Sequence, residues 1–361
     1  MAAAMRRFGS LDERTQRLAL AIAAFVLAAG LGVLRLRFGP PDFCVFWEAA
    51  RHWRAQYDPA LTAPIQAAYH VHVTWPYAYP PTFLLFTYPF GLIPLGLSFP
   101  LWAGLTAALF VYAASFMIRP PIAAGLLFIA PPVVVCTAFG QTALPVGAAM
   151  IGGWLLLERR PALAGILFAV AACIKPQAML LAPIVLWGRW RTLGWAVAAG
   201  LAMMAASLAF GVERWIEWPH ALTSFQGVIP RTERANPSAL IQGGVLGPVW
   251  ALTLAAFGVY KAWTRRSFLW CVGGALCATP YAHAYDLVPL APLCVAWLVK
   301  PRTFGWGYCV AGAVFLAGLV ETPAAVLALL LALAALEWPW RDIRERALGL
   351  FRARTPARLE A

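Results

Sequence analysis

The chain of 361 residues is 62% apolar and only 12% charged, with 28 Lys and Arg against 15 Asp and Glu for a net charge of +13; its mean hydropathy is +0.72. A soluble protein of this length needs far more polar surface, so soluble readings are excluded and an all-α, polytopic integral membrane protein is expected. The positive excess would suit nucleic acid in a soluble protein, but among long uncharged runs it serves to orient the chain in the bilayer, and no nucleic-acid partner is expected.

In chain order, the first apolar run, near 18–34, follows Arg6, Arg7, Arg14 and Arg17 and ends at Arg35 and Arg37 with no small-residue cleavage site. It predicts a first span rather than a signal peptide. The stretch 38–80 is the least hydrophobic of the N-terminal half and predicts a first outer loop carrying a short interfacial helix at about 42–56. Further spans are expected at about 82–97, 99–118, 121–137, 142–157, 161–174, 177–187, 192–211, 242–260, 267–281, 285–299, 304–320 and 323–338, several of them short, as in broken or tilted helices around a cavity. A second large outer loop falls at 212–241, and a basic cytoplasmic tail runs from 341 to 361. Residues 1–340 form a single integral domain with no fixed-period repeat. The seven Cys contain no C-x-x-C pair, so neither a disulfide framework nor a zinc site is indicated.

The connectors divide into two kinds. Those around 158–160, 188–191, 261–266 and 300–302, with both ends of the chain and Arg119, are basic, and placing them in the cytoplasm accounts for twenty of the 28 cations. The connectors rich in Pro, Gly, His and amides then share the opposite face, with the remaining cations Arg35, Arg37, Arg51, Arg54, Lys175, Arg214, Arg231 and Arg234. Two runs between Pro81 and Arg119 give the wrong parity. Either one is re-entrant or Arg119 lies outside, and about 11–13 transmembrane helices are expected.

On that outer face a few residues carry chemistry. Asp42, just beyond the first span, reads either as a helix N-cap or as a functional carboxylate at the lipid–water boundary, where ionisable groups are costly. Lys175 lies between two apolar helices and precedes Pro176. It either snorkels to the interface or faces a cavity as a phosphate contact, beside Gln177. Arg231 and Arg234, next to Asn236, are either a solvated charge run or a phosphate-binding pair. At another helix break, 280–286 brings together Tyr281, His283, Tyr285 and Asp286. Gln141 adds an amide for which capping is the competing account, and Tyr79 and Trp47 suit an interfacial aromatic belt or a sugar face. One carboxylate, several cations and a polar cavity suit group transfer from a lipid phosphate better than proton-coupled transport, which places such groups nearer the midplane. A transporter or flippase of a lipid-linked or small polar substrate is the alternative.

The run Asp42-Phe43-x-x-Phe46-Trp47-x-Ala49-Ala50, then Tyr57-Asp58-Pro59, Tyr79-Pro80-Pro81 and Pro94-Leu95, resembles glycosyltransferase family 87, to which polyprenyl-phosphate-mannose-dependent α-mannosyltransferases belong. Gly140-Gln141, Lys175-Pro176-Gln177, Asn236-Pro237-Ser238 and Pro280-Tyr281-x-x-x-Tyr285-Asp286-Leu287 are similar to its later motifs, in order, over about residues 20–300. The resemblance implies a GT-C helical bundle with an extracytoplasmic active site, multi-pass in the cell (inner) membrane. Asp42 would be the catalytic base of an inverting transfer of a sugar, mannose the best guess, from a polyprenyl-phosphate-sugar donor to a lipid or glycan acceptor. Lys175, Arg231, Arg234 and His283 are the candidates for binding the donor phosphate; Trp47, Tyr79, Gln141, Gln177, Asn236, Tyr281 and Asp286 are the candidates for contacting substrate. No cofactor or metal is implied.

Overall fold

The computed structural model describes residues 11–38, 42–58, 60, 76–228, 246–279, 283–299 and 312. Every regular element among them is helical. The first helix, α1 (Glu13–Arg35), starts where Asp12 accepts hydrogen bonds from the Thr15 amide (3.0 Å) and hydroxyl (2.6 Å). At 23 residues it is about 34 Å long, enough to cross a hydrocarbon core of about 30 Å. Its inward stripe is small, Ala24, Ala28 and Gly32. The outward stripe, Leu18, Ile22, Val26 and Val33, is bare.

Small residues let α1 lie close against α4 (Leu95–Ala114). A methyl group at Gly32 would come within 3.1 Å of Pro100, and one at Gly104 within 2.9 Å of the Phe25 ring. Such close backbone approach is how helices associate where lipid supplies no hydrophobic drive between them. Between them in sequence come α2 (Phe43–Arg51) and α3 (Leu84–Gly91). Helix α2 coincides with the expected interfacial helix but ends earlier, and Phe43 to Ala50 are buried all round. It is therefore wedged into the bundle rather than laid on its surface, with Ala50 so close to Gly91 that a methyl there would meet it at 2.8 Å. Helix α3 has eight residues, about 12 Å, too short to cross. The expected span at 82–97 is thus a short helix that ends at Leu92–Ile93 before α4 begins.

The following spans are broken, as their prolines require. A 3-10 segment, Pro121–Ile129, bends by 63° into α5 (Pro131–Phe139). Helices α6 (Ala143–Leu156) and α7 (Pro161–Ile174) follow. Lys175 precedes Pro176, which disfavours helical backbone there, and it sits at φ −144°, ψ 85°. After a 3-10 turn, Pro176–Met179, come α8 (Ala182–Val185) and α9 (Trp190–Ser207). The expected outer loop at 212–241 instead opens with a helix, α10 (Glu213–Val228). Next are α11 (Leu246–Arg265) and α12 (Phe268–Ala278), then a 3-10 turn, Ala284–Leu290, leading into α13 (Ala291–Val299). The spans expected at 304–320 and 323–338, and the tail, lie outside the described residues.

Among the described residues three helices are long and apolar enough to cross a membrane, or four with the bent pair, and five further apolar segments are shorter. Along α9 only 6% of the apolar window is buried, and Trp195, Val197, Leu201 and Met204 stand open. A face of that kind is stable only in lipid. The protein is a membrane protein.

Helices α7 and α9 meet at Gly165, where an added methyl would lie 2.4 Å from the Thr192 carbonyl oxygen and 2.7 Å from the Trp195 Cβ. Gly165→Ala should destabilise the protein by about 1–3 kcal/mol through overpacking, read as an earlier thermal unfolding transition in detergent. Gly194→Ala, on the neighbouring helix, meets nothing within 4 Å and should not.

Candidate active site

Helix breaks at one end of the bundle bring the chemically active side chains together. Asp42 stands at the start of α2 with helical backbone (φ −58°, ψ −21°), and its side chain makes no capping hydrogen bond. Capping therefore does not account for this carboxylate. It accepts a short hydrogen bond from the Gln141 Nε2 instead.

Gln141 is aimed by the turn before it. Gly140 ends α5 in the left-handed region at φ 69°, ψ 31°, where a side chain would be strained and its Cβ would lie 2.7 Å from Phe43 and Phe99. The Gln141 amide N–H then returns to the Cys136 carbonyl (2.9 Å), and the Trp102 indole N–H donates to the Gly140 carbonyl (2.9 Å). The Gln141 Oε1 accepts from the Tyr79 hydroxyl at 3.4 Å, and that hydroxyl also meets Thr142 at 3.3 Å. An ionised carboxylate can only accept, so this orientation of the amide, N–H₂ towards Asp42 and oxygen towards Tyr79, satisfies every partner.

A second cluster forms where α7 and α12 end. Lys175 is buried, 4% exposed, and its ammonium pairs with Asp286. The other Asp286 oxygen accepts from the His283 backbone N–H (3.0 Å), closing the start of the 3-10 turn. The Tyr285 ring lies 5.2 Å from the ammonium, and the His283 ring packs against Tyr285, tilted by 35° at 4.7 Å. Burial pushes the His283 imidazole down to about 4, Asp286 opposing and Lys175 adding to the shift, so it is neutral at pH 7. The Thr82 hydroxyl donates to the Cys173 carbonyl (2.7 Å), one of the acceptors left open when Pro176 ends the helix, and so fixes the turn that carries Lys175.

Tyr79 ties the two clusters together. Burial raises its phenol well above the usual value, the bond to Thr142 opposes this, and Asp286 and Asp42 both add to it. Both carboxylates therefore lie within electrostatic reach of one hydroxyl. Beside them a pocket of about 410 Å³, counted with its mouth, has Lys175, Gln177, Thr279 and Asp286 at its polar end and Val146, Met150, Val272 and Leu276 on its walls.

The structure thus gathers Asp42, Tyr79, Gln141, Lys175, Gln177, His283 and Asp286. Trp47 is placed differently from expectation. Its indole N–H donates to the Ile93 carbonyl (2.8 Å) and Arg51 covers its ring at 5.2 Å, so it braces the turn between α3 and α4. Arg231, Arg234, Asn236 and Tyr281 lie outside the described residues. Sequence reasoning missed Thr82 and Thr142, since a lone threonine in an apolar run carries no signal. It also missed Glu48, which is buried on α2; burial raises its pKa, and His52 at 3.1 Å and Arg51 oppose the shift. The family model for glycosyltransferase family 87 matches residues 77–320, more than half of the chain. No curated protein and no solved structure matches.

Two outcomes follow. Removing one member of a buried ion pair strands the other, at a cost of about 3–5 kcal/mol, whereas replacing both with apolar groups is near neutral. Lys175→Met and Asp286→Leu should each lower the unfolding temperature in detergent, and the double variant should regain most of the loss. For His283, the unfolded imidazole takes a proton below about pH 6.5 while the folded one resists to about 4. The unfolded state thus binds more protons in that window, and stability falls as pH drops through it. His283→Gln should flatten that part of a stability–pH profile.

Proposed function

The chain belongs to glycosyltransferase family 87, and from that membership and the setting of Asp42 we propose that it moves a sugar from a polyprenyl-phosphate donor to a hydroxyl of a lipid or glycan acceptor at the outer face of the cell membrane. It is a glycosyltransferase; mannose is the sugar we favour, on the motif resemblance described above. The observation that supports the role of Asp42 is that its carboxylate makes no helix-capping hydrogen bond and instead accepts from the Gln141 amide, close to Tyr79. That amide fixes the direction of the carboxylate, which suits a general base.

In the proposed reaction Asp42 takes the proton from the acceptor hydroxyl as its oxygen attacks the anomeric carbon. The bond from that carbon to the phosphate oxygen breaks on the opposite side, and its electron pair leaves with the polyprenyl phosphate, inverting the centre. Lys175, held by Asp286 at the polar end of the pocket, would meet the developing phosphate charge, aided by Arg231 and Arg234, and the apolar walls would take the first prenyl units. His283, neutral at pH 7, would offer the phosphate a hydrogen bond rather than a charge. Gln177, Asn236 and Tyr281 remain substrate contacts in this reading, and residues 1–340 act as one catalytic unit.

Asp42→Asn keeps the size of the side chain and removes the base. Radiolabelled transfer from polyprenyl-phosphate mannose in membranes should fall by about 10²–10⁴-fold, with insertion and thermal unfolding unchanged. Full transfer by the folded variant would refute the assignment, and substrate movement in proteoliposomes without a new glycosidic bond would favour a transporter.

A further inference from the structure

The connectors at the far end of the bundle carry cations that the candidate site does not use. Segments 158–160, 188–191 and 261–266 hold six arginines and Lys261 against one carboxylate, Glu158. Helix α7 starts beside Arg160 and ends at Lys175, and α12 starts just beyond Arg266 and ends beside Thr279 of the pocket. One helix length, about 21 Å for the 14 residues of α7, therefore separates these arginines from the candidate site.

Side chains join the three connectors into one surface. Arg189 donates to Glu158 through Nε (3.1 Å) and Nη2 (3.0 Å). The Trp187 ring packs against Trp190 (4.8 Å between centroids) and Trp263 (6.2 Å). Arg266 lies over the Trp263 ring at 4.9 Å and donates to the carbonyls of Trp263 (3.3 Å) and Trp187 (3.2 Å). It does so from φ 43°, a left-handed backbone that residues with a Cβ seldom adopt. Orienting the chain in a bilayer needs cations only in number. An arginine held in strained backbone across two indoles is a placed group, and such strain points to function.

All three indoles are open, Trp187 at 49%, Trp190 at 59% and Trp263 at 49%, as rings at the headgroup level of a membrane are. Trp190 also heads the bare stripe of α9, followed at helical spacing by Val197, Leu201 and Met204. Between Trp190 and Val197 the stripe is notched at Gly194, which has nothing within 4 Å of where a methyl would stand. A lipid-facing stripe thus runs straight into a rim of guanidinium groups.

We propose that Trp187, Trp190 and Trp263, with the arginines around them, form a binding site for one anionic phospholipid of the surrounding membrane. Its phosphate rests on the guanidinium groups and one acyl chain follows the stripe from Trp190 towards Met204. Guanidinium pairs with phosphate oxygens two at a time, which suits arginine rather than lysine at this rim. The surplus of positive charge favours a headgroup with net negative charge over a zwitterion, whose own cation the arginines would repel. A soluble phosphate would use the arginines and leave the indoles and the stripe bare. The site is independent of the transferase reading.

The test uses the full-length protein in detergent, titrated with dioctanoyl phosphatidylglycerol, dioctanoyl phosphatidylcholine or glycerol 3-phosphate, with the unfolding temperature as the readout. Phosphatidylglycerol should protect at lower concentration than phosphatidylcholine, and glycerol 3-phosphate should not protect. Arg189→Gln/Arg191→Gln removes the two cations that flank Trp190. Its one printed ion pair is to the exposed Glu158 and contributes little to folding. This double variant should raise the half-effective concentration of phosphatidylglycerol by about fivefold per charge removed and leave the response to phosphatidylcholine near that of the wild type. Arg266→Gln should act in the same direction, and if it does not fold the double variant still decides. Asp42→Asn, at the other end of the bundle, should respond as the wild type does. Equal protection by the two lipids, protection by glycerol 3-phosphate matching that by phosphatidylglycerol, or an unchanged half-effective concentration in the double variant would each overturn the proposal.

Discussion

A helix that stops within a bilayer leaves carbonyls that no water can reach, and the arrangement of this protein depends on how those carbonyls are satisfied. After α3, α5 and α7 a side chain from elsewhere supplies the missing donor, and the extended stretch before Pro81 is braced in the same way. Trp47 serves Ile93, Ser98 serves Phe90, Trp102 serves Gly140, Thr82 serves Cys173, Tyr57 serves Tyr79 and Trp218 serves Ala78. Three of the six donors are indoles, which carry one N–H on a large apolar body and so cost least to bury when that N–H is used.

These donors also set the site. Three of the candidate residues lie at or near a carbonyl that is held in this way. Gln141 comes one residue after Gly140, Lys175 two after Cys173, and Tyr79 carries its own braced carbonyl. A flexible loop could present the same side chains, but it would have to be ordered anew for every turnover. Here the ordering cost is met once, on folding, by hydrogen bonds worth more in an apolar interior than in water.

How far this was legible in the sequence follows the same logic. Asp42, Gln141, Lys175 and Asp286 are polar residues interrupting apolar runs, and such interruptions are costly enough in lipid to be read directly. The break at Lys175 was legible because Pro176 dictates it locally. The pairing of Lys175 with Asp286, 111 residues apart, was not, because periodicity carries no information about which breaks meet. Helix α2 misled for a related reason. Its aromatics, Phe43, Phe46 and Trp47, suit an interfacial belt as well as a buried wedge, and only the close approach allowed by Gly91 decides between them. The run at 82–97 was apolar enough to span, yet its length is divided at Leu92–Ile93 by a turn that hydropathy does not register.

The two carboxylates of the site end in contrasting environments, and the contrast has chemical content. Asp286 lies beside a lysine ammonium, so its charge is spent in holding that cation in the pocket lining. Asp42 accepts from the Gln141 amide, which orients its carboxylate. A base must gain a proton during the reaction, and Asp286 would have to give up its attraction to Lys175 to do so. In the proposed transfer the proton goes to Asp42, and Asp286 keeps its hold on Lys175. Tyr79, within electrostatic reach of both, marks the boundary between the half of the site that takes the proton and the half that receives the phosphate.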